Sequence, residues 1–123
     1  MFIIERVPTR VSLNSDFRVG LSEIVDKNGV PVSIDTTAFH FKFYSRTGGG
    51  IYNVIWVPGK DNAKYVKNCY VEDGILFINF TGYKFQVGPL MVKVGLMVND
   101  EHFPDGVWDW WYDEQESGIV MTP

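Results

Sequence analysis

Apolar and polar residues alternate along much of this chain with a period of two, which is the repeat of an extended strand. The clearest example runs from Pro89 to Asn99. One side of this segment carries Leu90, Val92, Val94, Leu96 and Val98, and the other carries Met91, Lys93, Gly95, Met97 and Asn99. The pattern predicts a long β-strand with one face in the core.

Residues 99–106 interrupt the alternation with Pro104 and Gly106, two residue types that favour turns. They predict a hairpin whose return arm is rich in aromatic residues. Alternation places Trp108, Trp110 and Tyr112 on one face of that arm, and Asp109, Trp111 and Asp113 on the other. We therefore expect the first face to be buried and the second to lie near water.

Further strands are predicted at 2–7, 16–25, 30–34, 38–44, 51–57, 65–71, 75–80 and 119–123. Turn signals separate them, among them 26–29, the glycines 48–50, 72–74 and the pair 117–118. The apolar phase slips near Glu23, which indicates a bulge or the exit of the strand. Residues 60–67 are too short and weakly patterned for a stable helix. Eight to ten short strands without a helix predict an all-β fold, an antiparallel β-sandwich first and a closed β-barrel second.

A chain of 123 residues predicts one domain, 1–123, with residues 1–8 as an edge strand or an assembly arm. Phe2, Ile3 and Ile4 are the apolar residues of that arm. No basic and apolar leader follows Met1, so we expect synthesis and folding in a cytoplasm. The apolar runs are too short for a membrane span, and no membrane partner is expected.

Acidic residues concentrate at the end of the chain, although the net charge is only −4. Residues 1–93 hold all eleven basic residues against eight acidic ones, a net charge of +3, and residues 94–123 carry −7. The overall balance argues against nucleic acid as a partner. The asymmetry is compatible with head-to-tail contact between copies, with docking on a basic partner, or with a solvated acidic edge.

Catalytic and metal-binding patterns are weak. Cys69 is the only cysteine, and His40 and His102 lie too far apart for a zinc motif. The triple glycine lacks the lysine and serine of a phosphate loop, and no nucleophile elbow is present. The aspartates around Asp105 do not match the spacing of a calcium loop. We expect no enzyme activity, no cofactor and no metal.

The aromatic cluster after Gly106 allows two interpretations. Trp108, Trp111 and Tyr112 could form a platform that stacks on sugar rings, with neighbouring carboxylates as acceptors for hydroxyl groups. Alternatively, the tryptophans serve the core and a protein interface, where tryptophan is enriched. The interface candidates are then Trp110 and Trp111, together with the acidic loop residues Asp100, Glu101 and Asp105.

Several segments give the chain a family resemblance. They are 82–94, 99–106, 117–121 and the early hairpin Asp26-Lys-Asn-Gly-Val-Pro-Val32. In these segments the chain resembles small β-sandwich proteins of tailed bacteriophages: it is similar in layout to virion proteins of the crAss-like phages, and more distantly to immunoglobulin-like N-terminal modules of phage baseplate and fibre proteins. The likeness covers about residues 16–121, and the tryptophan-rich arm departs from it.

The resemblance implies an immunoglobulin-like virion protein without enzyme activity, made in the host bacterial cytoplasm and present in many symmetric copies. It would decorate a capsid or belong to a collar, fibre or baseplate. Its partners would be other virion proteins and further copies of itself, with a glycan as the alternative ligand.

Overall fold

The computed structural model describes residues 3–5, 8–59, 66–104 and 106–123, and gives only the backbone for residues 3–5. This part of the chain forms ten strands and no helix, which confirms the all-β class. The strands are β1 (Ile3–Glu5), β2 (Arg10–Ser12), β3 (Phe17–Val25), β4 (Pro31–Val32), β5 (Phe39–Ser45), β6 (Tyr52–Trp56), β7 (Cys69–Glu72), β8 (Ile75–Phe80), β9 (Gly88–Asn99) and β10 (Val107–Thr122). The described residues hold no helix long and apolar enough to cross a membrane.

The strands form two five-stranded sheets. The first has the order β1-β3-β8-β7, with β4 also paired to β3, and the second has the order β2-β10-β9-β5-β6. The expected antiparallel pairing holds except between β2 and β10, which run parallel, with Arg10 opposite Val120. An isolated bridge between Ile55 and Lys67 joins the edge of the second sheet to the residues just before β7.

The core lies between the two sheets and is built mainly from the alternating apolar positions of the long strands. Phe39, Phe41 and Phe43 on β5 are fully buried, as their alternation predicts. The edge-on contact of Phe43 with Phe80 of β8, at 4.8 Å between ring centroids, connects the two sheets. Removing one such ring would cost about 3–5 kcal/mol of folding free energy.

The early hairpin and bulge are both confirmed. The side chain of Asp26 accepts hydrogen bonds from the backbone N–H groups of Asn28 and Val30, and Gly29 has φ +79°, so the turn returns the chain to β4. In β3 the register jumps near Glu23, because Ser22 is an extra residue opposite β1. The strand therefore bends at the point where the apolar phase slips.

The hairpin of β9 and β10 is confirmed by the pairing of Asn99 with Val107. The predicted alternation of the return arm holds only as far as Trp111, because Tyr112 is an extra residue between the pairs Trp111 with Gly95 and Asp113 with Val94. This bulge moves Asp113 to the inner side, where Tyr112 also packs. The prediction of opposite faces for these two residues was wrong. The expected burial of the first face fails at Trp110, which is 39% exposed.

Two further predictions need correction, and two predicted segments lie mostly or partly outside the residues that the structure describes. The pair Ser117-Gly118 is an irregularity within β10, not a turn before a separate strand. The short strand β2 was not predicted. Ile3 and Ile4 pair with β3 as an edge strand. Phe2 and most of 60–67 lie outside the described residues.

The strand directions place the connections at two ends of the molecule. We call one the hairpin end, where β3, β6 and β9 finish and β5 and β10 begin. We call the other the glycine end, where β3, β6 and β9 begin and the triple glycine follows β5. The contact of Tyr112 with Val25 at the first end, and that of Tyr52 with Asn79 towards the second, show that the two sheets share this orientation.

Candidate functional site

Four side chains at the hairpin end form a row that we call the hairpin stack: Phe103, Trp108, Trp110 and Lys27. The ring centroids are 6.1 Å apart between Phe103 and Trp108, and 6.2 Å apart between Trp108 and Trp110, with 25° between the planes of each pair. Lys27 of the β3–β4 turn completes the row, with its Nζ 3.7 Å from the centroid of Trp110. Ring contacts and a cation–π contact in the hairpin stack thus join the β9–β10 hairpin to the β3–β4 turn.

The hairpin stack is partly open to solvent. Phe103 is 45% exposed and Trp110 is 39% exposed, and Val30 of the same end is 54% exposed. Asp100 and Glu101 precede the stack in the loop. The His102 backbone N–H and imidazole hydrogen-bond the Asp100 carboxylate and lower its pKa, so this apolar surface has an acidic border.

Trp111 points to the opposite side, onto the outer face of the second sheet. Its ring lies against Gly95, the register partner that has no side chain. The ammonium groups of Lys42 and Lys93 lie 4.5 and 5.7 Å from the ring centroid. Because Lys42 and Lys93 are direct cross-strand partners, the shared ring holds two like charges side by side.

His40 is fixed between two oxygens on this outer face. Its Nδ1 lies 3.0 Å from Asp109 Oδ2 and its Nε2 lies 2.9 Å from Asn53 Oδ1. The imidazole also packs on Trp111, with 4.8 Å between centroids, and only 11% of its side chain is exposed. Both ring nitrogens are engaged, so His40 acts here as a structural connection and not as an open catalytic base.

Two more polar contacts cross β9 from β5 to β10. Tyr44 donates a hydrogen bond to Glu114, and Arg46 forms an ion pair with Glu116. Burial, with the hydrogen bond and charge of Glu114, raises the pKa of Tyr44 to about 12. Of these contacts, only the ion pair of Arg46 with Glu116 joins opposite charges, so one acidic residue of the C-terminal segment is neutralised within the chain.

The structure separates the predicted interface residues. Trp110 belongs to the hairpin stack, with Asp100 and Glu101 close by in sequence, whereas Trp111 lies on the outer face. The backbone pairing of Ile3 and Ile4 with β3 occupies one edge of the proposed arm. Phe2 and Asp105 are outside the described residues.

The predicted sugar platform is also divided. Trp108 and Trp111 point to opposite sides of β10, because their register partners Val98 and Gly95 are an odd number of residues apart. Tyr112 packs against the core and donates its hydroxyl hydrogen bond to the Val25 carbonyl. Burial, then the charges of Asp113 and Asp26, raises its pKa to about 12. No common platform of these three residues forms.

Sequence reasoning missed Phe103, Lys27, Lys42 and Lys93 as partners of the tryptophans. One signal was available, since Gly95 interrupts a strand of bulky residues, and such a glycine often marks close approach by another group. The free Cys69 is half-buried, and burial raises the pKa of its thiol to about 12.

Among the described residues, no three His, Cys, Asp or Glu side chains are grouped so that they could hold a metal ion. Comparison with models of known protein families, with curated proteins and with solved structures found no match to this chain.

Proposed function

We propose that this chain is a non-enzymatic structural protein of a tailed-phage virion, a capsid-decorating, collar or fibre- and baseplate-associated subunit that acts through protein–protein contacts. The observation that carries the proposal is the hairpin stack. Its three rings present an exposed apolar surface with acidic neighbours, and aromatic residues with a polar border are the usual composition of a binding interface.

The order of the strands supports an immunoglobulin-like sandwich. In that fold, four strands of one sheet follow the order A-B-E-D, and the other sheet contains C, F and G. The order β1-β3-β8-β7 corresponds to the first set, and β5, β9 and β10 correspond to the second. Such a module offers its connections at two ends for contact, which suits a repeated structural subunit.

The polar chemistry of the described residues also favours a binding or structural role over catalysis. The His40 imidazole is held between Asp109 and Asn53, and Cys69 has a raised pKa. His102 is exposed at 84% of its side chain and bonds to the neighbouring Asp100. None of these groups is placed beside an activated nucleophile.

Carbohydrate binding is the alternative, and the ring contacts weaken it. Sugar rings stack on open aromatic faces, but Lys27 Nζ lies over Trp110 and the Trp111 ring lies against Gly95. A glycan would therefore have to displace a cation–π contact before it could stack on Trp110. Retention of the chain on a glycan array, lost in Trp110→Ala, would favour this alternative.

Incorporation into particles tests the proposal directly. Mass spectrometry of purified virions should find the native chain in many copies per particle. Trp110→Ala should reduce incorporation at least ~10-fold, as for the loss of an interface anchor, while Tyr70→Ala, which removes a half-buried ring that stacks on Phe77 of the first sheet, should not. A chain that is absent from purified particles would refute the proposed function.

A further inference from the structure

We infer that the hairpin end of one copy docks on the glycine end of a second copy, so that the chain associates head to tail. This inference rests on the proposed function and names the partner and both contact surfaces. It follows from how exposed apolar and charged side chains are divided between the two ends of the described structure.

The large hydrophobic side chains that the described structure exposes fall into two groups. Val30, Phe103 and Trp110 lie at the hairpin end, and Ile51, Val87 and Val120 lie at the glycine end. Ile51 and Val87 are 56% and 46% exposed. Trp110 and Val120 pair with Leu96 and Pro89, which are seven residues apart on β9, about 23 Å at ordinary strand rise. One molecule cannot bring its two patches together, so a contact between them requires two copies.

Charged side chains are divided in the same way. The described connections at the hairpin end hold five acidic residues and two basic residues: Asp26, Asp35, Asp73, Asp100 and Glu101 against Lys27 and Lys67. Those at the glycine end hold Lys84 against Asp16, and Arg10 and Arg18 lie on the adjoining strands, while Arg46 is already paired with Glu116. The two ends therefore attract each other, whereas two hairpin ends repel.

The triple glycine contributes to the surface at the glycine end. A Cβ on Gly50 would lie 2.8 Å from the Cβ of Lys84, and a Cβ on Gly49 would lie 3.0 Å from the Lys84 carbonyl oxygen. Only residues without side chains let the β5–β6 connection approach 81–87 this closely. The approach brings the connections that carry Ile51 and Val87 next to each other, with Lys84 at their contact.

A contact between two different surfaces continues from copy to copy. Each docked molecule still presents one free end, so association gives a ring if the rotation closes and a filament if it does not. Like charges at matching ends disfavour the alternative two-fold dimer, in which two identical surfaces meet. Repeated copies along a ring or filament are the form of assembly expected of a virion subunit.

Variants blocked at one end test the inference. Phe103→Glu places a carboxylate in the acidic apolar patch, and Ile51→Glu places one in the basic apolar patch. By sedimentation velocity over a concentration and salt series, the native chain should form salt-sensitive multimers. Each variant alone should have the 14.1 kDa mass of a monomer. Their equimolar mixture should form a dimer and nothing larger, because only one pair of native ends remains.

Controls separate blocked association from misfolding. Ser22→Glu introduces the same charge at an exposed position within β3 and should associate like the native chain. Val30→Glu should repeat the behaviour of Phe103→Glu without removing a ring of the hairpin stack. All variants should keep the native urea midpoint. If Phe103→Glu does not, Val30→Glu replaces it at the hairpin end, and if Ile51→Glu does not, Val87→Glu replaces it at the glycine end.

Three results would overturn the inference. The native chain could stay monomeric at every concentration, the mixture of blocked variants could fail to form dimers, or the native chain could stop at a dimer that Ile51→Glu leaves intact. Particle incorporation of a monomeric chain would refute head-to-tail association and retain the proposed function. A head-to-tail multimer that is absent from virions would refute the proposed function and retain head-to-tail association.

Discussion

The indole of Trp111 lies directly on Gly95 of the neighbouring strand. A Cβ built on Gly95 would be 2.9 Å from Cε3 of that ring and 3.1 Å from the Trp110 carbonyl oxygen, closer than side chains normally approach. Gly95→Ala should therefore move the ring away and lower the free energy of unfolding by about 1–3 kcal/mol, the usual cost of overpacking. Urea denaturation of the native chain and the variant measures this loss.

The same substitution in a Trp111→Ala background isolates the cause. Without the indole, the added methyl group meets mainly the Trp110 carbonyl. The loss of unfolding free energy caused by Gly95→Ala should therefore be smaller than in the native background by at least about 0.5 kcal/mol, the scale of coupling between contacting residues. Equal losses in both backgrounds would show that the ring does not limit the space above Gly95.

His40 and Asp109 form the second testable contact on this face. Asp109→Asn removes the carboxylate that fixes the imidazole, and we expect a loss of about 1–2 kcal/mol in unfolding free energy, since a part-buried charged hydrogen bond is broken. Asp100→Asn is the matched control, because it acts on the exposed His102 and should leave the urea midpoint close to that of the native chain. A smaller effect at Asp109 than at Asp100 would contradict this assignment.

Sequence periodicity predicted the strands whose side chains alternate without interruption. β5 and β9 are clear examples, since Phe41 and Val92 point inward as expected. The pattern failed in β10, where the single extra residue Tyr112 reverses every later position. It also missed β2, because three residues are too few to establish a period of two.

The surfaces were harder to predict than the strands. The apolar content of the hairpin stack was visible, but the contact of Lys27 with Trp110 joins residues more than eighty positions apart. The position of Trp111 over Gly95 depends on the register between β9 and β10, and alternation within one strand cannot supply that register.

Gln115 provides a test of the reversed phase. Beyond the bulge it lies opposite Val92, and its Oε1 is buried without a hydrogen-bond partner among the described residues. Gln115→Met keeps the length of the side chain and removes the buried polar atom, so unfolding free energy should stay unchanged or rise by about 1 kcal/mol. Calorimetry or urea denaturation would detect the change.

Gln86 is the control for that substitution, because its side chain is exposed. Gln86→Met should change the stability by less than about 0.5 kcal/mol, as surface changes usually do. A clear loss of stability in Gln115→Met, with Gln86→Met unchanged, would contradict this prediction and mean that the amide of Gln115 makes a favourable contact in the folded chain.

Alkaline pH should destabilise the fold through Tyr112. Burial, then the charges of Asp113 and Asp26, raises the pKa of its hydroxyl from the ordinary 10.0 to about 12. The folded chain therefore keeps a proton that the unfolded chain has already lost between these values, so the contribution to stability is complete below pH 10 and disappears as the pH rises towards 12. Unfolding free energy measured over this range should fall more steeply in the native chain than in Tyr112→Phe.

The comparison with Tyr112→Phe is needed because other groups titrate in the same range. The pKa values of Tyr44 and of the Cys69 thiol are also raised to about 12, and the decline due to Cys69 begins from its ordinary value of 9.0. Both groups remain in the variant, so the difference between the two slopes belongs to Tyr112. Equal slopes would mean that Tyr112 ionises at the same pH in the folded and unfolded chains, and that its hydroxyl is not held on the Val25 carbonyl.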